Sequence, residues 1–365
     1  MHPDQYHRVA LSRVPTIGAK LFRSLLTHFE TAEAALTARP RELREVPGIG
    51  ERTAAHFADD RHRREADSIL HFAERNGIDV LCCLDATYPA RLATFPGAPP
   101  ILYYRGQADL SNPRSVAVVG TRNMSPHGSR QIERLLAPLA EFAPLIVSGL
   151  AYGVDIRAHR CAMNAGLPTV GVMGSGFQRV YPGAHLKTAL RMISKGGGIL
   201  TEYPYWVKPE REHFPARNRI VAMLSDLTIV VESNASGGSM ITAGMAHDLG
   251  RKLGACPGRP GDDTAAGCNA LIREGRAHLI ESGQDVIDLL KWTGPGPGRQ
   301  RRLFDDLDPA ETALVDRLRD RTAVDLDELR FELGVPPAKL ANTLLMLEVK
   351  GVVASLPGGR YRLTG

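Results

Sequence analysis

From residue 115 onward, short apolar runs alternate with longer stretches in which apolar residues return every three or four positions. The runs at 115–119, 145–148, 169–173, 198–202, 227–232, 253–255 and 277–280 predict strands. The helical intervals at 131–142, 156–165 and 240–249 supply the crossovers between them. Strand, helix and strand in that order predict an α/β domain with a doubly wound, mostly parallel sheet. Two further strands, 78–84 and 101–104, precede it, after a helix over 61–73.

The flanks have a different rhythm. Within 9–58 two related segments, Val14-Pro-Thr-Ile-Gly-Ala-Lys-Leu21 and Val46-Pro-Gly-Ile-Gly-Glu-Arg-Thr53, each lie between helical stretches and read as two helix-hairpin-helix units. A Gly-rich turn at a helix start lets backbone N–H groups approach a phosphate without reading base sequence. Gly18, Lys20, Gly48, Gly50 and Arg52 are the secondary DNA-binding candidates. A turn kept only for packing is the alternative. Beyond Trp292, a Gly/Pro linker ends in the basic cluster Arg299-Gln-Arg-Arg302. Helical spacing at 309–319, 326–333 and 337–350, then strands 352–356 and 360–363 around a turn at 357–359, predict a winged helix. The predicted domains are 1–75 (helix-hairpin-helix, SAM-like), 76–292 (extended Rossmann-like), the linker 293–302 and 303–365 (winged helix).

Composition narrows the class. With 43% hydrophobic and 23% charged residues in 365, the chain reads as globular with two to three domains. No apolar run approaches the ~20 residues of a membrane span, and the start shows no export signal, so a cytoplasmic protein is expected. Five cysteines (82, 83, 161, 256 and 268) without a C-x-x-C pair predict buried thiols, with no disulfide scaffold and no metal site. Net charge is +5, but the residues from 303 onward hold eight Lys and Arg against eleven Asp and Glu. The basic balance therefore belongs to the front and middle and suits a polyanion. The third helix of the last domain carries Lys339, Glu348 and Lys350 among apolar residues, which favours protein contact or packing over insertion in a DNA groove.

Candidate chemistry lies at strand ends, where such a sheet binds ligands. Gly120, Thr121 and Arg122 with Ser125 follow the first strand of the series. Ser148, Gly149 and Gly153 with Asp155 follow the next, and Gly174, Ser175 and Gly176 the third. Glycines there let N–H groups close on a phosphate, and Arg122 adds a forked cation. Neither the G-x-G-x-x-G fingerprint nor the G-x-x-x-x-G-K-[ST] loop occurs, which favours a phosphate chain over a diffusible nucleotide. Arg217, Asn218 and Arg219 stand together near a helix start, one Arg for phosphate and the other for a carboxylate such as Glu202 or Glu232. Gly238, Ser239 and Thr242 open another helix suited to an anion.

These motifs, with His159, Tyr181-Pro182, Phe214-Pro215, Gly250-Arg251, Pro257-Gly258 and Gly267-Cys-Asn269, stand in the order found in the DprA (Smf) family of DNA-processing proteins. The chain resembles that family from about residue 88 to 280, and its flanking domains are similar to the arrangement in many bacterial members. The resemblance implies a homodimer that binds single-stranded DNA, protects it and loads RecA during natural transformation, with single-strand-binding protein as a further partner. Two departures stand out. The turn reads Ser236-Gly-Gly-Ser239 where many members have Ser-Gly-Ser, and His185 and Lys187 occupy a stretch where the family usually has Asn. Lys187 enters as a phosphate contact by position alone. For the dimer, Met245, Leu249, Leu271, Ile272 and Leu279 offer an apolar patch at a sheet edge, or else core.

Two other readings stay open. The loops are also similar to those of phosphoribohydrolases that cleave nucleoside monophosphates. Those enzymes carry Pro-Gly-Gly-x-Gly-Thr-x-x-Glu, whereas Ser-Gly-Gly-Ser-Met-Ile-Thr stands here without the spaced carboxylate. Asp155, Glu202 and Glu232 are the available carboxylates, and pairing with Arg is expected for each. A sequence-specific regulator acting through the winged helix is the third reading. The expectation is a DNA-binding mediator with no catalytic residue and no cofactor.

Overall fold

Parallel strands buried on both faces read as unbroken apolar runs, and the runs of the middle domain fold that way. The computed structural model describes residues 4–294, 309–318, 323–349, 353–356 and 359–363. The linker from 295 with its basic cluster, Lys350 and the turn residues 357 and 358 lie outside the described residues. The strands are β1 (Asp79–Cys82), β2 (Ile101–Gly106), β3 (Ser115–Val119), β4 (Leu145–Ser148), β5 (Thr169–Val172), β6 (Gly198–Thr201), β7 (Leu227–Val230), β8 (Lys252–Ala255) and β9 (His278–Leu279). They form one sheet in the order β1-β2-β6-β5-β4-β3-β7-β8-β9. From β6 to β9 all pairings are parallel, while β2 runs antiparallel to both β6 and β1.

Alternation along each strand serves two cores. Val116 and Val118 of β3 pack on one face with Ile146, Leu227 and Ile229. Ala117 and Val119 pack on the other with Val147 and Val230. That second core continues without a break into the N-terminal helices through Val9, Phe22, Leu25 and Ile69. The residues expected as domains 1–75 and 76–292 therefore belong to one compact unit, Met1–Pro297, and Gly298–Gly365 form the other.

Both hairpins are present. Gly18 caps the helix Ala19–Phe29 and Gly50 caps the short helix Glu51–Ala55, and the turns lie side by side with Thr16 Oγ1 3.3 Å from Thr53 Oγ1. In the second unit, helices Pro309–Leu318, Leu326–Leu333 and Pro337–Val349 enclose a core of Leu314, Leu329, Leu340 and Leu344. A small antiparallel sheet of β10 (Val324–Asp325), β11 (Val353–Leu356) and β12 (Arg360–Leu363) completes that fold.

The apolar patch expected near β8 and β9 is not continuous. Leu271 is buried, Met245, Leu249 and Ile272 pack against the core, and only Leu279 of the five is exposed. Core packing accounts for Leu271 and for the inward side of the three half-buried residues.

Candidate nucleic-acid interface

The strand order reverses at β3. The chain steps through β4 and β5 to β6, then returns to β7 beside β3 and continues the other way. Loops leaving β3 and β7 must part there, and the crevice they leave is where open α/β sheets bind ligands. A cleft of about 610 Å³ occupies this point. Its walls are Gly120, Thr121 and Arg122 after β3, Gly149, Ala151 and Asp155 after β4, and Asn234, Gly238, Ser239 and Thr242 after β7. Arg211, Phe214, Arg217 and Asn218 close it from the helix His213–Met223 and its approach.

Of the helices that begin near the cleft, two have contrasting N-termini. In Pro126–Leu136 the Ser125 hydroxyl accepts from the amides of His127 and Gly128, both at 3.1 Å. The Glu232 carboxylate accepts from the Ser125 amide at 2.8 Å and the Gly128 amide at 3.1 Å, and the Ser125 hydroxyl donates to it at 2.5 Å. The anion at this helix start is the protein's own. Ser125, expected on a phosphate, is thus a cap, and Glu232, expected to pair with an Arg, satisfies backbone donors instead. In Gly238–Asp248 the cap residue is Gly237, which offers no side chain, so the first-turn donors face the cleft without a carboxylate. Exposed N–H groups and the positive end of the helix dipole suit this end to an anion.

The cleft floor holds a buried charge pair. Arg217 is 4% exposed and donates to the carbonyls of Gly149 and Val172 and, at 3.0 Å, to Asn218 Oδ1. Burial pulls its guanidinium down to about 10, against the opposing pull of Asp155, so it stays cationic at neutral pH. Burial raises the Asp155 carboxyl, while Arg217 and the loop amides hold it down. Beneath them His159 Nδ1 lies 2.7 Å from Thr169 Oγ1, whose own proton goes to the Ile146 carbonyl at 3.0 Å. Nδ1 must therefore carry the ring proton. Burial, helped by Arg217, depresses this imidazole to about 3 and keeps it neutral. Arg217 accordingly supports the floor, with its charge balanced by Asp155. Arg219 points elsewhere, pairing with Glu202 and donating to the Gly97 carbonyl at 2.8 Å, outside the cleft lining.

Other candidates are used up by the fold. Ser148 is fully buried and donates to the Val118 carbonyl at 2.6 Å, bracing β4 on β3. Gly153 has φ +73°, and a Cβ there would meet the Thr121 carbonyl oxygen at 2.2 Å. It lets the helix Val154–Asn164 approach the loop carrying Arg122. The loop at 174–176 cradles backbone instead of an open anion site: Gly176 donates to the Val207 carbonyl at 2.9 Å, Ser175 donates to the Arg179 carbonyl at 3.0 Å, and Gly174 packs against Phe214. Lys187 is exposed on the helix Leu186–Ser194, outside the cleft lining. Gly18, Lys20, Gly48, Gly50 and Arg52 are exposed on the helical hairpins, likewise outside it.

What remains converges. Arg122 is exposed, with its guanidinium carbon 5.7 Å from the Phe214 ring centroid and no carboxylate partner among the described residues. Arg211 and Tyr181 join it in the lining. Sequence reading passed over Arg211 and gave no site role to Tyr181 or Phe214. Their position just outside the Arg217-Asn218-Arg219 motif and beside the Tyr181-Pro182 pair was the available signal.

Comparison with known proteins agrees with this architecture. The family model described as DNA recombination-mediator protein A matches residues 79–291, the DprA winged helix domain 300–359, and a SAM-like helix-hairpin-helix tandem 9–56. Protein Smf of Synechocystis is 29% identical over 98% of both chains. The putative DNA processing protein DprA of Mycobacterium tuberculosis is 34% identical over 86% of this chain and 84% of its own. The crystal structure of DprA from Streptococcus pneumoniae superposes with a TM-score of 0.65 at 31% identity, covering 79% of this chain and 98% of that one. A Helicobacter pylori DprA structure, described for its single-stranded DNA binding mode, matches with a TM-score of 0.53 at 31% identity over 59% of this chain and 95% of its own. With the sheet, both flanking folds and more than half of the sequence in agreement, this chain belongs to the DNA recombination-mediator protein A family, that of DprA and Smf.

Proposed function

We propose that this protein binds single-stranded DNA through backbone phosphates in the switch-point cleft and acts as a recombination mediator that delivers the strand to RecA. One observation carries the reading: the side-chain-free N-terminus of Gly238–Asp248 shares a cleft with the unneutralised cation Arg122. Gly120, Thr121, Gly149, Arg211, Ser239 and Thr242 complete the binding set, with Arg217 bracing the floor. The Helicobacter relative named for binding single strands supports the ligand class. The same reading includes protection of incoming DNA during natural transformation, action as a homodimer, displacement of single-strand-binding protein and a cytoplasmic location, with family membership as its support. Among the described residues no helix is long and apolar enough to cross a membrane.

The role is non-enzymatic in this reading, because the three carboxylates near the strand ends are engaged. Asp155 faces Arg217, Glu202 pairs with Arg219, and Glu232 caps a helix. The test is binding of oligo-dT across a salt series, followed by RecA filament assembly on strands precoated with single-strand-binding protein. Affinity should fall with a log–log slope of about −0.7 per neutralised phosphate, and filament assembly should accelerate. A flat salt response removes the phosphate site. Release of free base from nucleoside monophosphates would establish a hydrolase instead.

A further inference from the structure

The helix Arg61–Asn76 crosses between the N-terminal helices and the sheet, and one of its faces is not accounted for by packing. Arg61, Arg64, Ser68, His71 and Arg75 recur at spacings of three and four, which puts them on a single stripe. At 1.5 Å rise per residue the stripe runs about 21 Å. All five residues are exposed. Arg61 shares Glu65 with Arg13, at 3.0 and 2.8 Å, whereas Arg64 and Arg75 have no carboxylate partner among the described residues.

Beside this stripe lies an aromatic row. The Tyr205 ring stacks on Phe72 with centroids 4.0 Å apart and planes 6° from parallel, and Trp206 meets Tyr205 edge-on at 4.8 Å. The Tyr205 hydroxyl is 2.8 Å from Ser68 Oγ, which pins the row to the helix. Two hollows open between row and stripe. One of about 390 Å³ is bounded by His71, Phe72, Arg75 and Tyr205, and one of about 350 Å³ by Arg61, Arg64 and Trp206. Cations tracking a backbone beside flat rings that can stack bases form the chemistry of single-strand binding without sequence preference.

The stripe connects to the cleft through one loop. Gln178 donates to the Tyr205 carbonyl at 3.0 Å, and Tyr181, three residues on, lines the cleft. Arg179 and Lys208 are exposed on the two segments joined there. We infer that the Arg61–Asn76 stripe and the Tyr205–Trp206 row form a second single-strand subsite, which receives the strand as it leaves the cleft past Tyr181 and Arg211. This rests on the cleft being the primary single-strand site.

The test uses the full chain and oligo-dT of about 6 and about 30 nucleotides, lengths that reach one subsite or both. The double variant Arg64→Glu, Arg75→Glu should bind the short strand as wild type does. It should bind the long strand roughly tenfold more weakly, with a salt slope shallower by about 1.4 for two lost phosphate contacts. Trp206→Ala should weaken the long strand alone and leave the salt slope unchanged, since stacking releases no counterions. An unchanged thermal midpoint of the double variant, at two exposed sites, confirms that its fold is intact, and Trp206→Phe, which keeps a ring at this half-buried position, should recover most of the long-strand affinity. Wild-type affinity and slope on the long strand overturn the inference, as does an equal loss at both lengths. A wild-type protein that binds neither length instead removes the cleft reading on which the inference rests.

Discussion

The Arg122 guanidinium carbon lies 5.7 Å from the centroid of the Phe214 ring, tying the loop after β3 to the helix His213–Met223 across the cleft. The ring holds the cation in place without neutralising it, as a carboxylate would. An exposed, oriented and uncompensated guanidinium is suited to a phosphate that arrives from solution.

Arg122→Ala should therefore weaken oligo-dT binding. A charge-assisted contact of about 1.5–3 kcal/mol corresponds to roughly ten- to a hundredfold in Kd. The residue is exposed, so the melting temperature should hold. Arg122→Lys should recover part of the affinity, keeping the charge but not the planar fork. Fluorescence anisotropy with both variants checks this, and wild-type affinity in the alanine variant would place the pocket elsewhere.

Ser125→Ala should act on stability instead of binding. It removes the cap shared with Glu232 and should cost about 1 kcal/mol, read from denaturant unfolding, with oligonucleotide affinity within about twofold of wild type. A stable variant with a large affinity loss would return Ser125 to the strand contacts.

Gly176→Ala introduces a Cβ that the backbone at Pro204 and Tyr205 excludes, with the Pro204 carbonyl oxygen only 2.0 Å away. Rigid backbone cannot rotate aside as a flexible side chain can. The expected loss is about 1–3 kcal/mol, visible as a lower melting temperature. Gly244→Ala, inside the helix Gly238–Asp248 where a Cβ meets nothing within 4 Å, is the control that should hold or slightly raise stability.

His159 should make stability depend on pH. Its folded-state value is depressed from 6.5 to about 3, so between those limits the unfolded chain binds a proton that the native imidazole refuses. The stabilisation is complete above pH 6.5 and is lost as pH falls toward 3, at up to about 1.4 kcal/mol per pH unit. Unfolding midpoints measured from pH 7 to 5 should fall more steeply in wild type than in His159→Gln. Parallel profiles would assign the acid sensitivity to other groups.

Strand identity was legible from the chain itself. Residues 115–119 and 145–148 read as strands and are β3 and β4, because a strand buried on both faces needs apolar side chains at every position, a local property. The repeated Pro-x-Ile-Gly turns and the helix spans of the last domain were legible for the same reason. Glycines and hydroxyls after β3 and β4 pointed to strand-end loops, and residues of those loops line the proposed cleft. Which loops reach the cleft was decided by tertiary structure alone. Ser125 and Glu232 are 107 residues apart and meet only because β7 returns beside β3. That contact closes one helix N-terminus and leaves Gly238–Asp248 as the open one. The loop at 174–176, Gly-Ser-Gly, opens like Gly120-Thr121 with a glycine and a hydroxyl, yet the Gly176 amide donates to the Val207 carbonyl. Phe72 and Tyr205 stack across 133 positions. Side-chain periodicity records what a segment buries, whereas contacts between distant loops depend on strand order, which no local pattern carries.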